Sequence, residues 1–120
     1  MSHLTTTVTT IKKAEILKKA LKAKDLEFTT NIHESEYPNL TIKQKTGYDI
    51  DFVWNGKNYD LVTDVQFWDQ PISIESFSQQ LHKEYNYQYI LEETEKLGFT
   101  AKEKLVLVNG GYSLNFERYS

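Results

Sequence analysis

The stretch "YDIDFVWNGKNYDLVTDV", residues 48–65, restricts the fold of this chain more than any other. Apolar and polar residues alternate on both sides of an Asn-Gly pair, which is the period of a half-buried strand. Asn-Gly accepts the positive φ values that a two-residue type I′ turn requires. With Asn55 and Gly56 as that turn, Trp54 lies opposite Lys57, Phe52 opposite Tyr59 and Ile50 opposite Leu61. Tyr48, Ile50, Phe52, Trp54, Tyr59, Leu61 and Val65 then share one face, and that face needs a core above it.

The flanking sequence supplies the cover. Leu4 to Ile11 is β-branched and alternating, a strand. Lys12 to Lys24 reads as a helix with Ala14, Ile16, Leu17, Ala20 and Leu21 on one arc and Glu15, Lys18, Lys19 and Lys22 on the other. A short strand over Leu26 to Ile32, a loop over 33–39 and a weak strand over Leu40 to Gln44 follow. Pro71 ends the hairpin region, and Ser73 caps a second helix with Glu75 in its first turn. Its apolar residues form two sets, Ile74, Phe77, Leu81 and Tyr85, then Tyr87, Ile90, Leu91, Thr94 and Leu97. The sets differ in phase by roughly 80° on an ideal helix, so the helix kinks near Asn86 or wraps a curved sheet. Gly98 is the terminator.

A second hairpin closes the chain, with Asn109-Gly110 as its loop. Leu105, Leu107, Tyr112, Leu114 and Phe116 line one face, and Lys104, Val106, Ser113 and Asn115 the other. The order is β-α-β-β-β-β-α-β-β. The expected fold is α+β: one domain over residues 1–120, built as a single, mainly antiparallel, twisted sheet with two helices packed on one face.

Composition removes several kinds of chemistry. There is no cysteine, hence no disulfide, thiolate nucleophile or cysteine-held metal. The formal net charge of −3 argues against a duplex-binding protein, which carries a basic surplus, so no nucleic-acid partner is expected. No apolar run reaches the roughly 20 residues of a membrane helix. The start, "MSHLTTTVTT", lacks the basic-then-apolar order of a signal peptide. Lys outnumbers Arg thirteen to one, a usage that AT-rich organelle and endosymbiont genomes favour.

The candidate surface is the other face of the first hairpin. Asp49, Asp51, Val53, Asn58, Asp60, Val62 and Asp64 lie there, with Asp51 directly opposite Asp60 in the two-residue-turn register. Like charges directly opposed across strands are destabilising. A hydrated face, a basic protein partner, or a hard cation such as magnesium or calcium would each relieve that opposition. Two carboxylates with split pKa values also do acid–base work. Trp68 has the parity of the acidic face; it is an interface anchor or it folds over the start of the second helix.

Of the three histidines, none has a second at metal spacing, and no serine stands in a nucleophile elbow. His82 falls on an exposed helical arc. His3 near the chain start hydrogen-bonds a neighbouring element or, with a retained Met1 amine, chelates copper or nickel. Gly110-Gly111 joins two strands rather than leading into a helix, so it is no phosphate cradle. Tyr85, Tyr87 and Tyr89 point in different directions on a helix and form no stacking platform. Lys12, Lys18, Lys19 and Lys22 make a local basic stripe, which reads as a solvated face.

Several strings taken in order are distinctive: "MSH", "GYDIDFVWNGKNYDLVTDVQFW", "FSQQLHKEYNY", "EKLGF" and a final "RY". Across essentially its whole length the chain resembles the family called hypothetical chloroplast reading frame thirty-five. The resemblance implies an organelle-encoded protein of the plastid stroma, or in the alternative of the cyanobacterial cytoplasm. It carries no catalytic residues over. Relatives commonly end in Arg-Trp where this chain has Arg118-Tyr119, and they are often not acidic at Asp51. The expected function is that of a non-enzymatic accessory or interaction protein. Its protein partner in the stroma would meet a surface containing Asp49, Asp60, Asp64, Trp68 and His3, with no catalytic residue, metal or cofactor. The alternative is a metal-dependent or catalytic module that uses the sheet-face carboxylates.

Overall fold

A computed structural model describes residues 4–31, 36–45, 47–106 and 112–118, with side chains up to residue 98. The elements run β1 (Leu4–Val8), α1 (Ala14–Ala23), β2 (Thr29–Thr30), β3 (Leu40–Ile42), β4 (Ile50–Trp54), β5 (Tyr59–Asp64), α2 (Ile74–Lys96), β6 (Phe99–Val106) and β7 (Tyr112–Arg118). This is the predicted order. β1 to β5 form an open antiparallel sheet in the order β1-β5-β4-β3-β2, and the fold is α+β. Among the described residues β6 and β7 pair only with each other, in a separate two-stranded ladder.

The core lies between the sheet and the two helices. Ile42, Ile50, Phe52, Tyr59 and Leu61 from the sheet meet Ile16, Leu17 and Leu21 of α1 and Phe77, Leu81 and Tyr85 of α2 in one apolar cluster. Each such side chain, fully buried, stabilises the fold by about 1.5–3 kcal/mol relative to exposure. The five α1 residues assigned inward by periodicity, Ala14, Ile16, Leu17, Ala20 and Leu21, are the five that are buried.

The helix ends have local causes. β1 stops at Val8 because the Thr9 hydroxyl turns inward: it donates to the Tyr59 carbonyl and accepts from the Ile11 amide at 3.0 Å. α1 ends in a Schellman motif, with Asp25 N–H donating to Lys22 O at 3.0 Å and Leu26 N–H to Leu21 O at 2.9 Å. Asp25 takes the left-handed position with φ +57°. Ser73 caps α2, its hydroxyl oxygen accepting from Ser76 N–H at 3.1 Å. Gly98 follows the helix at φ +85°. α2 runs without interruption through Asn86. The phase change instead leaves the second apolar set partly in solvent: Ile90 and Leu97 are exposed, while Phe77, Leu81 and Tyr85 lie in the buried core and Tyr89 packs against it.

The first hairpin keeps its predicted faces but not its register. Trp54 pairs with Tyr59, Phe52 with Leu61 and Val53 with Asp60, so the loop spans Asn55 to Asn58. The Asn55 side-chain oxygen accepts from the amides of Lys57 and Asn58, both at 2.9 Å, and Asn55 N–H donates to Asn58 O at 2.9 Å. That Asx turn needs positive φ only at Gly56 (+97°), so the two-residue type I′ turn does not form. The shift is by an even number of residues, and each side chain therefore stays on its face. Tyr48 and Val65 depart from the expected core face. Both are exposed at the strand ends, where Tyr48 stacks on Phe67 at 3.8 Å between ring centroids.

The second hairpin pairs Val106 with Tyr112, Leu105 with Ser113 and Lys104 with Leu114, with a bulge between Ala101 and Glu103. A two-residue Asn109-Gly110 loop would have paired Leu107 with Tyr112; the observed register is one position away. Asn109 and Gly110 lie outside the described residues.

Candidate interaction surface

The helices cover one face of the five-stranded sheet, and the opposite face carries the sequence-predicted carboxylates. Strand alternation places Leu4, Thr6 and Val8 of β1 beside Asp64, Val62 and Asp60 of β5, with Asp51 and Val53 of β4 and Thr41 of β3 next in line. Leu4 is 66% exposed and Val8 68%. The face is thus mixed, with aliphatic and acidic side chains interleaved.

Asp51 does not oppose Asp60. It sits across from Val62 on one side and Thr41 on the other, and the Thr41 hydroxyl donates to its carboxylate at 2.7 Å. Asp60 sits across from Val53 and accepts from the Asn55 side-chain amide at 2.9 Å. The like-charge opposition expected from the sequence is therefore absent, removed by the four-residue loop. Both carboxylates have neutral hydrogen-bond partners, and neither is in an ion pair among the described residues. Both are half-buried. Asp49 is half-buried just before β4, where its backbone carbonyl accepts from the Thr63 hydroxyl at 3.3 Å.

Asp64 lies elsewhere than the sequence placed it, and of the two positions the sequence allowed Trp68, the structure shows packing at the start of the second helix rather than an interface anchor. Asp64 is only 3% exposed, because the chain leaves β5 through a 3₁₀ turn and the carboxylate folds back to accept from Gln66 N–H at 3.0 Å. Trp68 is half-buried and packs on the core. Its indole N–H donates to Ile72 O at 2.7 Å, and its ring meets Phe77 edge-on at 5.2 Å. It staples the chain before α2 rather than projecting from the open face. His3 lies outside the described residues. Among the described residues no three His, Asp or Glu side chains converge as a metal site would require.

Sequence reasoning missed three polar side chains that join distant elements. Gln44, buried, donates to Tyr48 O at 2.8 Å and accepts from Asp69 N–H at 2.8 Å, joining the segments on either side of the hairpin. His82 is half-buried rather than solvated: Nδ1 donates to Ser78 O at 2.8 Å and Nε2 accepts from Thr10 N–H at 3.3 Å. The Tyr85 hydroxyl oxygen accepts from the amides of Lys12 and Lys13, at 3.3 and 3.1 Å, just before α1. No local pattern announces the long-range bonds among these, whose partners lie 25 to 73 residues away. Burial among apolar neighbours pushes the Tyr59 phenol up to about 12, while its hydroxyl donates to Pro38 O at 3.0 Å.

Comparison with known proteins places the chain among plastid relatives. It is 39% identical to the uncharacterized protein ycf35 of Cyanophora paradoxa, over 99% of this chain and 98% of the relative. It is 36% identical to the ycf35 protein of Guillardia theta over 99% of this chain and 98% of the relative, and 35% identical to that of Pyropia yezoensis over 100% and 99%. These relatives belong to the reading-frame series of algal plastid genomes. No solved structure matches the chain. Residues 17–115 match the family model described as "Protein of unknown function (DUF1257)", and with near-full-length ycf35 relatives at this identity the chain belongs to that family.

Proposed function

We propose that the chain is a non-enzymatic accessory protein of the plastid stroma that binds a basic protein partner through the open face of its five-stranded sheet. The observation that supports this is the state of Asp51 and Asp60. Their hydrogen bonds go to a threonine hydroxyl and an asparagine amide rather than to a cation, and Asp60 lies across from the exposed Val8 on the face that also carries the exposed Leu4. Interfaces combine such an apolar patch with charges that steer and orient the partner. Asp49 lies at the margin of this face, while Asp64 and Trp68 hold the turn that frames it.

The test is a salt-dependent pull-down from plastid extract, comparing the native chain with an Asp51→Asn, Asp60→Asn double variant. The native chain should retain a basic protein at about 50 mM salt and lose it progressively toward about 500 mM, as charge screening shortens from roughly 14 Å to roughly 4 Å. The double variant should lose it at the lowest salt. Retention by the variant equal to that of the native chain, or retention indifferent to salt, refutes the proposal.

A further inference from the structure

A cleft lies away from the acidic face, at the start of α1. It encloses about 900 Å³ and is walled by the first turn of α1, the β4–β5 turn, residues 36–38 and the last turns of α2. Its electrostatics invert those of the chain. Five lysines, Lys12, Lys13, Lys18, Lys57 and Lys96, line it against three glutamates, in a chain whose formal net charge is −3. The lysines come from three separate elements, and no single stretch of sequence groups them. Bringing like charges together costs free energy that a bound anion would return. Lys13, Lys18 and Lys96 are paired with Glu93 or Glu15. Lys12 and Lys57 are exposed and in no ion pair among the described residues.

Two further features of the same cleft fit the same ligand. Lys13, the cap residue of α1, makes no side-chain capping bond, and the amides of Ala14, Glu15 and Ile16 in the first turn have no intrahelical acceptor. Tyr37 and Trp54 also line the cleft and lie ring on ring, 3.8 Å between centroids and 8° from parallel. Lysines and open amides suit phosphate oxygens. A stacked aromatic pair suits a planar ring.

We propose that this cleft binds a nucleoside oligophosphate, with the phosphates held by Lys12, Lys57 and the first-turn amides of α1 and the base against the Tyr37–Trp54 pair. The proposal is independent of the partner-binding face, which shares none of these residues.

The experiment is a titration of the full chain in a Trp68→Phe background, so that emission comes from Trp54 alone, with ATP in one arm and inorganic tripolyphosphate in the other, at about 50 mM salt. ATP should quench Trp54 saturably. Lys12→Ala with Lys57→Ala should weaken binding at least tenfold, while Lys22→Ala, outside the cleft, should leave it within twofold. Both lysines are exposed, so near-UV circular dichroism of the double variant should match the parent. Tripolyphosphate should bind more weakly than ATP. Equal affinity for the two would overturn the base-stacking part. Absence of saturable binding of either by both fluorescence and calorimetry, or an equal loss on Lys22→Ala, would overturn the proposal altogether.

Discussion

Tyr59→Phe removes one oxygen from the middle of the core, and its consequence depends on pH in a way that can be worked out. The Tyr59 ring is fully buried between the sheet and the helices, and its hydroxyl donates to Pro38 O at 3.0 Å. At pH 7 the variant loses that hydrogen bond, a net cost of about 1 kcal/mol. The phenol titrates at about 12 in the folded chain because burial disfavours the phenolate. In the unfolded chain it titrates near its ordinary value of about 10. A raised folded pKa means that the unfolded state releases its proton first, so stability present below pH 10 is lost as pH rises toward 12. At pH 11, midway, the loss from this group alone is about 1.4 kcal/mol. The phenylalanine variant has no proton to lose there. Urea denaturation of both proteins at pH 7, 9, 10 and 11 should therefore show the native chain ahead by about 1 kcal/mol at pH 7 and level with or behind the variant at pH 11. The other tyrosines titrate equally in both proteins and cancel. A stability difference that stays constant from pH 7 to 11 would refute the assignment of the raised pKa to burial of Tyr59.

Other perturbations test other parts of the frame. Asp25 holds the left-handed cap position of α1 at φ +57°, with its negative charge at the unfavourable end of the helix dipole; Asp25→Gly should raise stability by about 0.5–1 kcal/mol in chemical denaturation. Gln44→Leu strips the buried amide that joins the Tyr48 and Asp69 segments and leaves their backbone groups unpaired, and should cost about 1–3 kcal/mol by the same measurement. Glu84 is 5% exposed, and one of its carboxylate oxygens has no hydrogen-bond partner. Glu84→Gln keeps its shape without the charge and should be neutral or stabilising by about 1 kcal/mol; a loss of that size would show the carboxylate to be satisfied in solution.

The parts of the fold that the sequence announced are those in which one period dominates. The apolar arc of α1 is set by five residues at helical spacing, and all five are buried. In the first hairpin the alternation fixed which side chains face the helices, while the turn fixed the register, and the turn was decided by a competition within one residue. Asn55 can adopt positive φ and let Gly56 complete a two-residue loop, or it can turn its side-chain oxygen onto the amides of Lys57 and Asn58. It does the second. Because the resulting shift is even, the core survived the difference, and only the cross-strand partners of Asp51 and Asp60 changed. In the second hairpin the shift is a single position, and the partners expected of Tyr112 and Leu114 changed with it. Where the chain leaves the sheet, alternation says nothing. Asp64 has outward parity and is buried, since the 3₁₀ turn supplies an amide for it to cap.

The two candidate surfaces were legible to different degrees for the same reason. The acidic face is built from neighbours two residues apart on adjacent strands, a pattern visible in one line of sequence. The lysine cleft joins residues 12, 57 and 96, and the stripe that the sequence showed on the first helix, Lys12, Lys18, Lys19 and Lys22, proves to be divided. Lys12 and Lys18 turn toward the cleft, Lys19 pairs with Glu92 at 3.8 Å, and Lys22 lies outside. The lysines of the cleft therefore lie apart from Asp51 and Asp60 of the open sheet face. A basic protein on one and a phosphorylated ligand on the other would see fields of opposite sign, attenuated over about 8 Å at physiological salt. The two proposed ligands would not compete with each other for a residue, so binding of one should leave the affinity for the other unchanged.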